Sequence, residues 1–259
     1  MDKEEIKRLL ATKTPYSEDL NRMGFLIDMV WDELDCDNKH LDDDKIARFY
    51  SHPVWILNGL FIEQHALSMQ HRNGISQWVA DNRMKSVVDY GGGFGTLARL
   101  IRQKSPKTDV VIFDPYSNDF SCKKLPGKDS IRFISTIDKQ YDCLIAEDVL
   151  EHVPNPIQLL SLMISYVKPN GYLLIANNFS PVIKCHLPAT FHLRYTFNRI
   201  AEAMGLQNCG TIMGAPHATI YRKHGCYTTI SNKVILMELG SKLIFSVVTA
   251  FKMVKRALN

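Results

Sequence analysis

The sequence predicts an α/β chain, a mostly parallel sheet covered by helices on both faces and preceded by a helical segment. Three observations predict it. The hydrophobic period changes at Ser86 from helical spacing to short β-branched runs, and those runs alternate with helix-forming segments. The first run ends in a turn holding Gly91, Gly92, Gly93 and Gly95. The chain has 259 residues, 46% hydrophobic and 22% charged, which suits one α/β domain with an accessory element, or two small domains at most.

Residues 1–85 read as helical. Asp42-Asp43-Asp44 places acids at the positive end of a helix running through Tyr50, and Pro53 interrupts it. From Trp55 to Val79 the apolar positions recur at helical spacing, with Asn73-Gly74 reading as a turn. Ser86–Tyr90, Thr108–Asp114, Ile131–Ile134, Tyr141–Glu147 and Gly171–Asn177 read as strands. Thr96–Gln103, Asn155–Val167 and Tyr195–Met204 read as helices. Beyond Gly205 the expected strands are Gln207–Met213 and Lys233–Leu239, followed by a helix from Ser241 onward.

Charge and cysteines set limits. A net charge of +4 is too mild to imply nucleic-acid binding. Residues 1–50 carry 13 acids against 8 bases, whereas the last 20 carry Lys242, Lys252, Lys255 and Arg256 and no acid. Six scattered cysteines without a C-x-x-C pair argue against a zinc ribbon and a disulfide scaffold. The charged start Met1-Asp2-Lys3-Glu4-Glu5 is unlike a signal peptide, so a reducing cytoplasm is the expected compartment.

The glycine turn can be read in several ways. A dinucleotide fingerprint wants glycine or alanine where Thr96 stands, and a P-loop needs a Gly-Lys-Ser/Thr that is missing. Asp89, at the strand end, would repel a pyrophosphate but suits a cationic amino-acid ligand. Asp114 ends the next strand about 20 residues on, where an acid accepts the hydroxyls of an adenosine ribose.

With these residues the chain resembles the class I S-adenosylmethionine-dependent methyltransferases, in particular the ubiquinone-biosynthesis-like, type 11 group of small-molecule enzymes. Val87-Val88-Asp89-Tyr90-Gly91-Gly92-Gly93-Phe94-Gly95 fits the first motif of that family, and Asp114 fits its ribose acid. Tyr141 through Val153, containing Glu147-Asp148-Val149-Leu150-Glu151-His152, resembles its fourth strand and continuation. Val167-Lys168-Pro169-Asn170-Gly171 resembles the turn into its fifth. The resemblance covers roughly Ser86 to Gly205. It implies a Rossmann-like, doubly wound, seven-stranded sheet with an N-terminal helical lid. The implied divisions are a lid and acceptor-binding region at 1–85, a cofactor domain at 86–239 and a basic amphipathic helix at 240–259.

The resemblance also implies roles. Asp89, Gly91 and Gly93 would hold the methionyl part of S-adenosyl-L-methionine, with Gly95 serving the turn. Asp114 would hold the ribose, and Pro115 and Tyr116 would flank the adenine. Ile137, in Ser135-Thr136-Ile137, would meet the adenine edge, and Glu147 would face the methionyl side.

Methyl transfer to a hydroxyl requires alignment and the loss of a proton, which calls for a general base. His152, after the fourth strand, and His192, after the fifth, are the catalytic candidates, and Arg194 can grip an anionic acceptor. Lys184, Arg194, Arg199, Arg222 and Lys223 face a single acid, Glu202, between residues 181 and 233, which leans the acceptor towards a polar, sugar-like or anionic metabolite, with surface-glycan biosynthesis as one setting. His224-x-Cys226 and Cys185-His186 lack a second pair at set spacing, so no metal site is expected. In the last helix Ile244, Val247, Val248, Phe251 and Val254 share a stripe. The apolar run from Leu243 is too short to span a bilayer, so it packs inside, meets a partner subunit or touches a membrane surface weakly. The partner expected is a small-molecule acceptor, with no nucleic acid, because an Asn/Asp-Pro-Pro-aromatic motif does not follow the fourth strand. Alternatives are nitrogen methylation, an NAD-linked oxidoreductase and a methyltransferase-like domain that only binds.

Overall fold

The computed structural model describes residues 3–116, 131–225 and 230–257, with side chains of the last helix described to Phe251. Five helices come first: α1 (Lys3–Ala11), α2 (Asp19–Glu33), α3 (Asp43–Tyr50), α4 (Val54–Gln64) and α5 (Ala66–Asp81). Asp42 caps α3 by accepting the Lys45 amide at 3.0 Å, as the acidic run implied. α4 and α5 are separated at His65, whose backbone is extended. Asn73-Gly74 does not form a turn. It lies inside α5, where a Cβ on Gly74 would come within 2.7 Å of the Met213 carbonyl. The glycine therefore serves close packing rather than a bend.

The α/β part comprises β1 (Ser86–Tyr90), α6 (Thr96–Lys104), β2 (Asp109–Phe113), β3 (Ile131–Ile134), β4 (Tyr141–Glu147), α7 (Pro156–Ser165), β5 (Val167–Ala176), α8 (Phe197–Ala203), β6 (Leu206–Ile212), β7 (Ala215–Lys223) and α9 (Asn232–Ala257). Short 3-10 segments follow β4 at Leu150–His152 and precede α8 at Pro188–Tyr195. The seven strands run in the order β3-β2-β1-β4-β5-β7-β6, parallel except for β7, which is antiparallel to both its neighbours. The chain winds outward from β1 to β3, then crosses back to β4 on the other side of β1. That reversal leaves a crevice beyond the carboxyl ends of β1 and β4.

Successive residues of β1 feed opposite cores. Val88 joins Leu160, Ile164, Phe197 and Ile200 under α7 and α8, while Val87 joins Ile75, Val79, Leu97 and Ile101 under α5 and α6. A parallel strand buried on both faces reads as a continuous apolar run for this reason. A third core holds Leu9, Met23, Leu26, Ile27, Val30, Trp31, Phe49, Val54 and Leu57, joined by Cys185 from the loop after β5. Cys36, Cys143, Cys185 and Cys209 are free thiols; Cys122 and Cys226 lie outside the described residues.

Two expectations for the last third are corrected. Lys233–Leu239 is helical, part of α9, and the final strand is Ala215–Lys223, which forms a hairpin with β6 across Gly214 at φ +84°. β7 carries the buried Lys223, whose Nζ donates to the carbonyls of Ile164, at the end of α7, at 2.9 Å and of Val167, at the start of β5, at 2.6 Å. A strand that buries a lysine on helix-end carbonyls lacks a clean apolar alternation. α9 also starts earlier than Ser241, because Val234 and Ser241 dock on the main body, with Ser241 Oγ donating to the His192 carbonyl at 2.7 Å. The apolar stretch is consequently Asn232–Phe251, 20 residues with a mean hydropathy of 1.8, long and apolar enough to cross a membrane by length and composition.

The N-terminal helices meet the glycine turn at one tight contact. A Cβ on Gly59 of α4 would lie 2.6 Å from the Phe94 ring. Gly59→Ala should lower stability by about 1–3 kcal/mol through overpacking. Thermal unfolding checks this, and Phe94→Leu in the same chain should restore part of the loss.

Candidate functional site

The crevice opens into a cavity of about 1140 Å³. One wall is the ends of the strands. Asp89, Gly91, Gly93, Asp114, Pro115, Glu147 and His152 all border it, and they come from β1, β2, β4 and the turns that follow. The opposite wall consists of Met23, Ile27, Trp31, Leu41, Ile46 and Tyr50 from the N-terminal helices and the α2–α3 loop.

The turn after β1 folds as the glycines require. Gly91, Gly93 and Gly95 have φ of +74°, +47° and +72°, and Gly95 caps α6 without lining the cavity. Gly92 is needed for space, since a Cβ there would fall 2.5 Å from Asp89 Oδ2. Asp114 fastens the turn from the neighbouring strand, its Oδ2 accepting the Gly93 amide and its Oδ1 the Tyr116 amide, each at 2.9 Å. Burial raises the Asp114 carboxyl despite those two amides.

Asp89 is 3% exposed, and its Oδ2 has no hydrogen-bond partner. Burial first, then the Glu147 carboxylate, push its pKa up to about 7. Glu147 is raised by burial as well, and Arg72 of α5 approaches it at 3.6 Å, with His217 at 4.0 Å. Next to it Asp148 holds φ +52°, an unfavourable backbone for a non-glycine residue. The strand ends therefore present buried carboxylates to the cavity with little positive charge to balance them.

Aromatic rings close the side of the cavity near Asp114. Tyr116 stacks on Tyr50 with ring centroids 5.1 Å apart, and Tyr50 stacks on Trp55 at 5.3 Å. His152 also borders the cavity. Its Nδ1 lies 3.0 Å from the Cys185 carbonyl, and its ring packs against Tyr50 and His186. Burial and the neighbouring His186 push its pKa down to about 3.

The structure separates the other expected residues from this cavity. His192 is buried beside α9, where its Nε2 lies 3.6 Å from Glu238, and it does not line the cavity. Arg194 is exposed and donates from Nε to the Phe179 carbonyl at 3.0 Å. Ile137 packs on the core beneath the sheet rather than on the cavity. The basic lobe does not converge either. Lys184 pairs with Asp32, Lys223 is buried beneath α7, and none of Lys184, Arg194, Arg199, Arg222 and Lys223 lines the cavity. Arg72 and the aromatic wall, in turn, carry no signature in a single sequence, because isolated helix positions show function only once packed.

Fold, glycine turn and strand-end acids together define a class I S-adenosylmethionine-dependent methyltransferase, an enzyme whose cofactor is S-adenosylmethionine. The chain belongs to the methyltransferase-domain family, whose model matches residues 64–228. It is similar to the "Ubiquinone biosynthesis O-methyltransferase" of Shewanella pealeana, 26% identical over 61% of this chain and 72% of that one. The protein of the same description from Escherichia coli O7:K1 is 26% identical over 52% of this chain and 60% of its own length. The chain thus spans between about three fifths and three quarters of these two curated relatives. A solved structure of PigF with SAH shares the fold, with a TM-score of 0.54 and 14% identity over 76% of this chain and 69% of that one.

The raised Asp89 has a consequence for stability. Its folded pKa of about 7 lies above the ordinary 3.8, so the folded state holds more protons between those values. Stability of the cofactor-free protein should therefore fall as pH rises from about 4 to about 7, by an amount on the order of a few kcal/mol. Glu147 and Asp114 add to the effect and Arg72 opposes it. Asp89→Asn should flatten this pH dependence, and unfolding curves identical in pH dependence to wild type would show that Asp89 does not carry it.

Proposed function

We propose that the chain transfers a methyl group from S-adenosylmethionine to a hydroxyl oxygen of a small acceptor with an apolar or aromatic body. The observation that carries this reading is a cavity of two chemistries, buried carboxylates on one wall and apolar and aromatic side chains on the other. The cofactor fits the first wall. An orphaned, buried Asp89 Oδ2 beside Glu147 suits the methionyl ammonium, and Gly91 and Gly93 let the backbone come close. Asp114 has lone pairs left for two ribose hydroxyls beyond its two amide bonds, and Pro115 and Tyr116 stand beside it for the adenine.

Bound there, the cofactor supplies a methyl group already activated on a sulfonium. The protein's part is to orient the acceptor and exclude water. Helices α2 to α4 would act as the lid, closing on the site through Gly59, Tyr50 and Trp55. His152 borders the acceptor side, but a ring held near 3 does not retain a proton at neutral pH, so it positions rather than deprotonates. The similarity to two O-methyltransferases favours oxygen as the acceptor atom. The apolar wall favours an acceptor less polar than a sugar.

Calorimetry and a transfer assay test this together. S-adenosylmethionine should bind the full chain, and Asp114→Ala should weaken it by roughly 10- to 100-fold. Leu41→Gln should raise KM for an alkyl-substituted phenol and leave cofactor affinity intact. Undetectable cofactor binding, an unaltered affinity in Asp114→Ala, or transfer to sugars alone would each defeat the reading.

A second observation bears on where the enzyme works. Leu236, Leu239, Leu243, Ile244, Val247 and Phe251 of α9 are all more than half exposed. Lys252, Lys255 and Arg256, whose side chains lie outside the described residues, follow in the sequence with no acid after Glu238. An exposed apolar helix ending in cations matches an anionic lipid surface. The chain should sediment with phosphatidylglycerol vesicles and much less with phosphatidylcholine, and Val247→Glu with Phe251→Glu should abolish this. Equal recovery in the supernatant with both lipids, or burial of the helix in a stable dimer, would oppose it.

A further inference from the structure

The cavity holds more negative than positive charge, and one of its acids stands apart from the rest. Among the described residues that line it, Asp28, Asp43, Asp89, Asp114, Glu147 and Asp148 are acids, against Lys39 and Arg72 as its lysine and arginine. Asp89, Asp114, Glu147 and Asp148 lie at the strand ends, and Asp43 is exposed at the start of α3. Asp28 differs from all of these. It sits half-buried on α2, on the opposite wall, in a cavity-facing stripe otherwise made of Leu20, Gly24, Ile27 and Trp31.

The surroundings of Asp28 leave one of its oxygens for a ligand. Oδ1 accepts the Lys184 amide at 2.7 Å, while the Lys184 ammonium pairs with the exposed Asp32 at 2.7 Å. Oδ2 has no hydrogen-bond or ion-pair partner among the described residues. Burial raises the Asp28 carboxyl, against the lowering by the Lys184 amide and charge. His186 stands near, but burial lowers its own pKa, so its ring is neutral at neutral pH. A half-buried carboxylate in an apolar stripe gains more from a cation than one in water does. The two cationic side chains of the cavity do not supply it. Arg72 faces Glu147, and Lys39 is exposed on the α2–α3 loop. S-adenosylmethionine is itself a cation and answers the acids of the strand ends, which leaves Asp28 for the acceptor.

We propose that Asp28 receives a protonated amine of the acceptor, so that the substrate class is a hydroxyl-bearing aromatic or apolar molecule with a cationic side arm. This rests on the reading above that the apolar wall holds the acceptor. The ammonium donates to Asp28 Oδ2, and the apolar body lies against the wall that holds Ile27, Trp31 and Tyr50. The hydroxyl is left to meet the cofactor's methyl group. Aromatic faces on the same wall add to the attraction for a cation. While protonated, the nitrogen of the arm has no lone pair, so it is held and not methylated. A carboxylate or phosphate in its place meets the Asp28 carboxylate and is repelled. Asp28 is thus a specificity-determining residue, and it takes no part in the chemical step.

The test is equilibrium binding to the full chain of three phenols of similar size, with and without S-adenosylhomocysteine. They are tyramine, its neutral counterpart tyrosol and the anion of hydroxyphenylacetic acid. Tyramine should bind at least about tenfold more tightly than tyrosol, and the anion most weakly. Asp28→Asn, whose amide oxygen can still accept the Lys184 amide, should cut the tyramine-to-tyrosol ratio to about twofold or less. Asp35→Asn, which neutralises an exposed acid just beyond the same helix, should keep the ratio of the unaltered chain. Equal affinity for the three phenols, no measurable affinity for any, or preference for the anion overturns the proposal. So does a loss in Asp28→Asn that falls on tyramine and tyrosol alike, the mark of a merely structural carboxylate. Where that variant fails to fold by circular dichroism, the comparison of the three phenols on the unaltered chain decides. Tyramine methylated on nitrogen in a transfer assay also overturns it. Undetectable binding of S-adenosylhomocysteine would instead defeat the methyltransferase reading, and the comparison made without it would still decide the charge preference.

Discussion

The site depends on burying carboxylates where the sheet changes direction. The chain leaves β1 towards β2 and β3 and only later returns to β4, so no connection covers the gap between β1 and β4. Parallel register places Asp89 beside Ile145, two residues short of Glu147, and beside Ile112 on the other flank, two residues short of Asp114. Three acids thereby gather at one end of three strands whose central residues are buried. Water cannot solvate Asp89 there, and ionising it without a cation is expensive. Gly92 stays small to leave room for it, Arg72 leans in from α5, and Asp114 is committed to the backbone of the glycine turn. A site shaped in this way favours a ligand that brings its own positive charge.

Much of this could be read in the amino-acid order, and the reason is local. Val87-Val88-Asp89 and the glycines after it are consecutive residues, and a strand that ends in a positive-φ turn leaves its mark within ten positions. The centres of β1, β2 and β4 were legible because parallel strands buried on both faces are written as short apolar runs, whereas β5 starts at Val167, four residues before the expected Gly171. β7 was not, because it puts Lys223 under a helix end and lies at the antiparallel margin of the sheet. Lys233–Leu239 misled for a related reason. Its Val-Ile-Leu content suits a strand, but the docking of Val234 and Ser241 one above another on the main body makes a helix of it.

The apolar wall of the cavity is less legible because it is assembled from distant pieces. Trp31 and Tyr50 belong to different helices, and Tyr50 gains meaning only when stacked between Trp55 and Tyr116, the latter at the end of β2. Single aromatic residues on amphipathic helices look like ordinary core. The basic residues between 181 and 233 illustrate the opposite error. They are close in sequence, but Lys184 turns to Asp32, Arg194 to Phe179 and Lys223 to the end of α7, so the charge excess never forms a surface. Charge composition over a window predicts a binding face only when the window also folds as one face.

The same contrast explains the two histidines. His152 and His192 look equivalent in sequence, each following a strand of the sheet near its carboxyl end. Packing divides them. His192 turns to α9 and Glu238, whereas His152 turns to the cavity and to His186. The burial that places His152 at the cavity, with His186 beside it, also lowers its affinity for a proton. Cys185-His186 lies far from His152 in the sequence, and folding brings them together, His152 Nδ1 lying 3.0 Å from the Cys185 carbonyl. The loop after β5 thus closes one side of the cavity and brings His186 beside His152.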